Sequence, residues 1–347
     1  MDPTPQDKPV ATLADVARHA NVSTATVSRC LNSPDQVVGR TRERVMQAVR
    51  DLGYTPNFSA RALAAKQTNT VGAVIPTMEN AVFARGIQAF QEELGRHGKT
   101  LLIASSGYKE ALEEEQVRAL VARGADALLL IGYHRSPGLY AFLRQRSVPT
   151  LVSWSYDAAQ DQPAMGFDNK DAMAELARLA LRQGHREIAC ISAPITSNDR
   201  ARHRVEGIRL AMAEAGLDPF GLVLTEVPYG IDQGEVAFRT ALAAAPETTL
   251  VMCGNDVLAL GALRAAREMG LRVPLDVSVT GFDDIELAIL AEPALTTVHV
   301  PHREMGRRAA NTLIQMLNDG ETPASVALPT DIRVRQSLGS PRQKTGL

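Results

Sequence analysis

The 347-residue sequence predicts an all-α helix-turn-helix headpiece followed by an α/β two-lobed body of two doubly wound parallel sheets. Three observations carry this. Apolar residues near the N-terminus recur at helical spacing behind capping residues. From residue 70 onward, β-rich apolar runs alternate with amphipathic helices, and that alternation occurs twice in succession.

The first helix starts at Thr12-Leu13-Ala14-Asp15. Thr12 can cap free backbone N–H groups, and Asp15 places negative charge at the positive helix end. Leu13, Val16, Ala17 and Ala20 then form one apolar face. Asn21-Val22 breaks the helix, and Ser23 caps a second one whose inward residues are Val27 and Leu31. Two short helices about a tight turn make a helix-turn-helix. Opposite Val27 lie Thr24, Ala25, Ser28 and Arg29, small or hydrogen-bonding side chains that allow close entry into a major groove. A third helix is expected in the segment 41–57, ending at Gly53, and Pro56-Asn57 closes the headpiece. The following run, 58–65, has good helical propensity but little surface to bury alone.

In the body, strands are expected at 71–76, 100–105, 127–131 and 149–153, with helices near 83–97, 110–123 and 137–146. A second series follows, with strands at 187–192, 222–227, 249–254 and 276–282 and helices near 169–183, 203–215, 232–245 and 256–270. Two such lobes suggest a hinged binding protein with a ligand in its cleft. Open α/β sheets hold ligands beyond the carboxyl ends of their strands. That rule selects 77–83, 153–157, Phe167-Asp168-Asn169, 197–204, Tyr229, Asn255-Asp256 and Asp283-Asp284.

Charge is uneven along the chain although the formal net charge is only −2. Residues 1–66 hold nine Lys/Arg against six Asp/Glu (+3), and the remainder holds 28 against 33 (−5). A basic module on an acidic body points toward a polyanion partner. No apolar run approaches the ~20 residues of a membrane span, and the N-terminus lacks a signal-peptide pattern, so a cytoplasmic location is expected. Cys30, Cys190 and Cys253 form no C-x-x-C pair and read as buried apolar residues. No metal site is expected from the seven histidines, no cofactor is implied, and no catalytic residue is nominated. Motifs for dinucleotide or phosphate binding, G-x-S-x-G and H-E-x-x-H are missing, which speaks against an enzyme. A secreted solute-binding protein would share the body but would need a signal peptide and have no use for residues 12–66.

The string TLADVARHANVSTATVSRCLN resembles the headpiece of the LacI/GalR family of bacterial regulators, T-x-x-D-V-A-x-x-A-x-V-S-x-x-T-V-S-R-x-L-N. Supporting strings are TRERVMQAVRDLGYTPN, FDN, RVEGIRLAM, CGNDVLALGALRAAREMGLRVPLDVSVTGFDD and EPALTTVHVP, so the resemblance spans nearly the whole chain. It implies a periplasmic-binding-protein-like body and three regions: a headpiece at 10–56, a hinge helix and linker at 57–69, and an effector-binding and dimerisation domain at 70–347. The N-lobe is expected at about 70–165 plus 298–325, and the C-lobe at about 166–297 plus 326–340. Val38 stands where the family usually caps the third helix with Ser.

The resemblance further implies a homodimer on a near-palindromic double-stranded DNA operator, most often as a repressor controlled by a sugar or sugar acid. DNA-binding residues are then Thr12, Ser23, Thr24, Ala25, Thr26, Ser28, Arg29, Asn32, Tyr54, Asn57 and Arg61, with Leu63 as a hinge wedge in the minor groove. Effector-binding residues are Asn80, Phe83, Trp154, Asp168, Arg204, Tyr229, Asn255 and Asp283. Arg204 and Asp283 match the positions with which relatives hold polar ligands. Two departures stand out: the 77–83 loop lacks the proline and first aromatic of the common N-P-F-F form, and Ser153-Trp154-Ser155-Tyr156 lacks the charged residue many relatives place there.

Overall fold

The computed structural model describes residues 11–32, 34–55, 67–79 and 81–342. The chain divides into two compact units, one up to Thr68 and one from Asn69. Asn57, Arg61, Leu63 and Asn80, and the side chain of Asn32, lie outside the described residues.

In the first unit, α1 (Leu13–His19), α2 (Thr24–Asn32) and α3 (Gly39–Asp51) enclose a small core. Val16, Ala17, Ala20, Val27, Cys30, Val45 and Ala48 are buried there, with Leu13, Val22, Leu31 and Tyr54 packed around them. Thr12 and Asp15 form a reciprocal capping box: Asp15 N donates to Thr12 Oγ1 at 3.3 Å and Thr12 N donates to Asp15 Oδ2 at 2.9 Å. Hydrogen bonding from Thr12, chiefly, holds the Asp15 carboxyl below its ordinary range. Asn21 turns in the left-handed region at φ 49°, and Ser23 Oγ accepts from Thr26 N at 3.1 Å to start α2. Val38 precedes α3 with no side-chain cap and is 76 % exposed.

The second unit holds two six-stranded sheets. The first runs β11-β5-β4-β3-β1-β2, all parallel, with β1 Thr70–Ile75, β2 Thr100–Ser105, β3 Ala127–Ile131, β4 Thr150–Ser153, β5 Ala164–Gly166 and β11 Val326–Ala327. The second runs β12-β10-β9-β8-β6-β7, with β6 Ile188–Ser192, β7 Val223–Glu226, β8 Leu250–Cys253, β9 Ser278–Asp283, β10 Thr296–His299 and β12 Asp331–Arg333. Only β12 is antiparallel. Central strands β1, β3, β4, β6, β8 and β9 are buried along their whole length, as helices on both faces require.

The helices of the first lobe are α4 (Ala81–Arg96), α5 (Glu110–Ala122), α6 (Pro137–Gln145) and, after a return crossing, α12 (His302–Asp319). Those of the second are α7 (Asn169–Arg182), α8 (Asp199–Glu214), α9 (Ile231–Ala244), α10 (Asp256–Glu268) and the short α11 (Glu286–Leu290). Helices α4 and α12 cross at glycines: a Cβ on Gly306 would lie 1.9 Å from the Gly86 carbonyl oxygen, and one on Gly86 2.5 Å from the Trp154 ring. Helix α8 begins at Asp199, earlier than the expected 203, because Asn198 caps it by accepting from Ala201 N at 3.3 Å.

The chain changes sheets three times. Thr296–His299 still pairs in the second sheet and Val326–Ala327 in the first. The last two crossings therefore fall later than the expected boundaries at 297/298 and 325/326. A two-residue strand such as Val326–Ala327 has no hydrophobic period to betray it.

Candidate nucleic-acid interface and ligand cleft

On the headpiece, the inward face of α2 is Val27 and Cys30, which leaves Thr24, Ala25 and Arg29 exposed and Thr26 and Ser28 half-buried. Ser23 Oγ also lies 2.9 Å from Thr26 Oγ1, so both hydroxyls are engaged in starting the helix. Thr12 is exposed at the head of α1. Tyr54 differs from the exposed set: its ring packs against the headpiece core. The result is a short helix with a polar, low-profile outer face held by a compact support, the form that enters a major groove.

In the body, loops following strands of both lobes converge. A cavity of about 330 Å³ is lined by Thr77, Glu79, Gly107 and Tyr108 from the first lobe and by Ala193, Pro194, Ser197, Asn198, Pro228 and Tyr229 from the second. Its size falls within the roughly 300–1,000 Å³ of small-molecule sites. Tyr108 and Tyr229 meet across the cleft with ring centroids 5.5 Å apart, tilted 53°. Burial raises both phenols above their ordinary range, and Arg200, Arg204 and Asp283 are close enough to bias both.

Behind the tyrosines lies a buried polar cluster. Arg204 donates from Nε to Asn169 Oδ1 at 2.9 Å and from Nη1 to the Gly254 carbonyl, and its guanidinium stacks 3.8 Å from the Phe282 ring centroid. Its Nη2 stands 3.7 Å from Asp283 Oδ1. Asp283 is 1 % exposed, and neither of its carboxylate oxygens has a hydrogen-bond partner among the described residues. Burial pushes its carboxyl up to about 6, against the pull of Arg204 and Arg200. Its backbone has φ 104°, and its carbonyl oxygen accepts from His302 Nε2 at 3.1 Å. Burial draws His302 down to about 4, so the ring is neutral at pH 7.

A second pair joins the lobes. Asp199, at the start of α8, accepts from Tyr133 N at 2.7 Å, and Arg200 donates to Ile131 O at 3.0 Å while pairing with Asp199 at 3.1 Å. Burial opposes ionisation of Asp199, but Arg200 and the Tyr133 N–H outweigh it and hold the carboxyl below its usual range.

The cleft residues expected from sequence fall into distinct roles. Arg204, Asp283 and Tyr229 come together as described. Asn255 is 2 % exposed but caps α10 by accepting from Leu258 N at 2.9 Å. Trp154, with φ 57°, packs edge-on to Phe83 at 5.4 Å and beside His302 at 6.2 Å. Both Trp154 and Phe83 are buried, and Trp154 Nε1 has no hydrogen-bond partner among the described residues. Asp168 is exposed and caps α7, accepting from Lys170 N and Asp171 N. The helix start at that position turns the next residue, Asn169, inward to hold Arg204. Sequence reasoning also passed over Tyr108 and did not single out Asp199 or Arg200. The loop after β2 obeys the same strand-end rule as its neighbours, which was the available signal.

The site is thus that of a two-lobed ligand-binding body carrying a helix-turn-helix headpiece. Residues 12–57 match the model of bacterial regulatory proteins of the lacI family, and 177–338 match that of a periplasmic binding protein-like domain. The chain is 33 % identical over 332 residues to the HTH-type transcriptional repressor PurR of Escherichia coli O1:K1 / APEC, covering 95 % of this chain and 97 % of the relative. A LacI family transcriptional regulator from Silicibacter pomeroyi superposes with TM-score 0.85 at 26 % identity, covering 95 % of this chain and 99 % of that one. The lac repressor dimer bound to operator and the anti-inducer ONPF gives TM-score 0.84 at 26 % identity, covering 95 % and 100 %. The chain belongs to the LacI family of DNA-binding transcriptional regulators.

Proposed function

We propose that this protein is a transcriptional repressor whose operator affinity is set by a small polar ligand, a sugar or sugar acid, bound between the lobes. The supporting observation is Asp283: a carboxylate 1 % exposed, set beside the Arg204 guanidinium, with neither oxygen hydrogen-bonded among the described residues. A buried carboxylate without hydrogen bonds costs stability, and a hydroxyl-bearing ligand that donates to it recovers the missing bonds.

The working unit is a homodimer in the cytoplasm, each headpiece reading half of a near-palindromic operator through Thr24, Ala25 and Arg29, which stand exposed on α2. Leu63 serves as the minor-groove wedge of the hinge, on the strength of the family resemblance. A ligand that prefers one lobe arrangement shifts DNA affinity by its differential affinity for the two states. The test is fluorescence anisotropy of labelled genomic operator fragments against the full chain, with and without sugars and aldonates. Salt-sensitive binding that a ligand alters supports the reading; DNA binding indifferent to every ligand sinks the allosteric half.

A further inference from the structure

We infer that the junction of the two lobes carries a second binding site, apart from the effector cleft, for a small tetrahedral oxyanion of the phosphate type, held between His134 of the first lobe and Arg202 and His203 of the second. Loops after β3 and β4 meet the start of α8 there, around a cavity of about 240 Å³. The first lobe contributes Tyr133, His134, Asp157 and Gln160 to its wall, and the second Arg202 and His203. It shares no lining residue with the 330 Å³ cavity, and neither Arg204 nor Asp283 reaches it. No aliphatic side chain lines it, so an apolar ligand would gain nothing there. Its volume lies below the roughly 300–1,000 Å³ of organic-ligand sites and suits a small hydrated ion.

The acceptors in this wall are already served. Asp199 accepts from Tyr133 N at 2.7 Å and pairs with Arg200 at 3.1 Å. Asp157 closes its own turn, accepting from Ala159 N at 2.9 Å and from Gln160 Nε2 at 3.3 Å. Arg135, also in the wall, is held by Glu113 at 2.8 Å.

The donors are not. Arg202 stands 3.7 Å from Glu206 and His134 3.8 Å from Glu110, ion pairs too long for hydrogen bonds and worth little near the surface. His203 lies near enough to Asp199 to help keep that carboxyl ionised. Tyr133 is 8 % exposed, and its phenol oxygen has no hydrogen-bond partner among the described residues. Burial raises that phenol to about 12, and the nearby Asp157 N–H, itself a donor, pulls it down, so the O–H proton is left without an acceptor. A guanidinium, two imidazoles and a phenol with protons to give call for an anion rich in acceptor oxygens. Because those donors come from both lobes, the ion bridges them and favours the arrangement in which they face each other.

The test is calorimetric titration of the full chain with inorganic phosphate, sulfate and glycerol phosphate, against sodium chloride at matched ionic strength, with thermal shift alongside. Phosphate should bind saturably at about 10 mM or below and raise the melting temperature beyond the chloride control. Arg202→Gln should fold, since its one ion pair is a loose 3.7 Å contact, and should weaken phosphate binding about fivefold or more. His134→Gln, on the other lobe, should weaken it about threefold or more. Asp283→Asn should bind phosphate like the parent, which separates this site from the effector cleft. Glycerol phosphate binding more tightly than phosphate assigns the site to a phosphorylated metabolite, and equal or weaker binding assigns it to the free ion. Heat and melting temperature no different from the chloride control overturn the inference. So does phosphate binding that Arg202→Gln and His134→Gln both leave intact, or that Asp283→Asn abolishes. A loss in only one of the two lobe variants overturns the bridge.

Discussion

Replacing Asp283 with Asn should make the protein more stable at neutral pH while destroying its ligand site. The carboxyl is 1 % exposed, lacks hydrogen-bond partners among the described residues, and is raised from 3.8 to about 6. A group whose pKa is higher in the folded state favours folding while protonated, and that advantage is lost as pH rises through the folded value. Below 3.8 the carboxyl is neutral in both states and carries no penalty; above 6 it is ionised in both, and the fold bears the whole cost. Moving a carboxyl that far is worth about 3 kcal/mol at pH 7.5 and roughly half of that at pH 5.0. Asparagine brings a buried amide with a desolvation cost of about 1–3 kcal/mol, but that cost does not titrate. The readable quantity is therefore the change in the gap between variant and parent. Urea unfolding of the full chain should show the variant gaining about 1.5 kcal/mol relative to the parent between pH 5.0 and 7.5. A gap that is constant with pH, or that moves against the variant as pH rises, refutes the view that burial of Asp283 outweighs the pull of Arg204 and Arg200.

Three other outcomes follow from particular contacts. Val38→Ser should supply the side-chain cap that α3 lacks and stabilise it by about 1 kcal/mol, seen as slower hydrogen exchange of its first-turn amides. Gly86→Ala would place a methyl 2.5 Å from the Trp154 ring and 3.1 Å from the His302 carbonyl oxygen. It should cost about 1–3 kcal/mol in thermal unfolding and shift tryptophan emission; an unchanged melting temperature would mean the α4–α12 crossing is loose. Arg200→Ala leaves Asp199 buried at 2 % exposure without its cation and should destabilise the body by about 3–5 kcal/mol, with the double variant Arg200→Ala, Asp199→Asn recovering part of that loss.

Much of the architecture is legible from local chemistry. Thr12 and Ser23 announce their helices because a side-chain oxygen ahead of an apolar stripe satisfies free N–H groups, and both make those bonds. The run at Ala127–Ile131 reads as a strand buried on both faces, and it is. What sequence does not reveal is decided by geometry between neighbours. Asp168 and Asn169 are adjacent polar residues at a helix start, and only the direction of that first turn decides which one caps and which one points inward. Tyr108 escapes because nothing in Ser-Gly-Tyr-Lys signals a left-handed tyrosine; its role depends on Tyr229, more than a hundred residues away. Likewise, the bridge of Asp199 to Tyr133 N and of Arg200 to the Ile131 carbonyl exists only once the lobes face each other.

The most direct test of the account as a whole is operator titration of the full chain, by anisotropy, at two salt concentrations and with and without the sugar or sugar acid that binds it best. The account predicts affinity that falls steeply with salt and changes by tenfold or more with the sugar, a coupling lost in Asp283→Asn while its sugar-free DNA affinity is retained. DNA affinity that ignores the sugar while tryptophan fluorescence reports it bound would contradict the account.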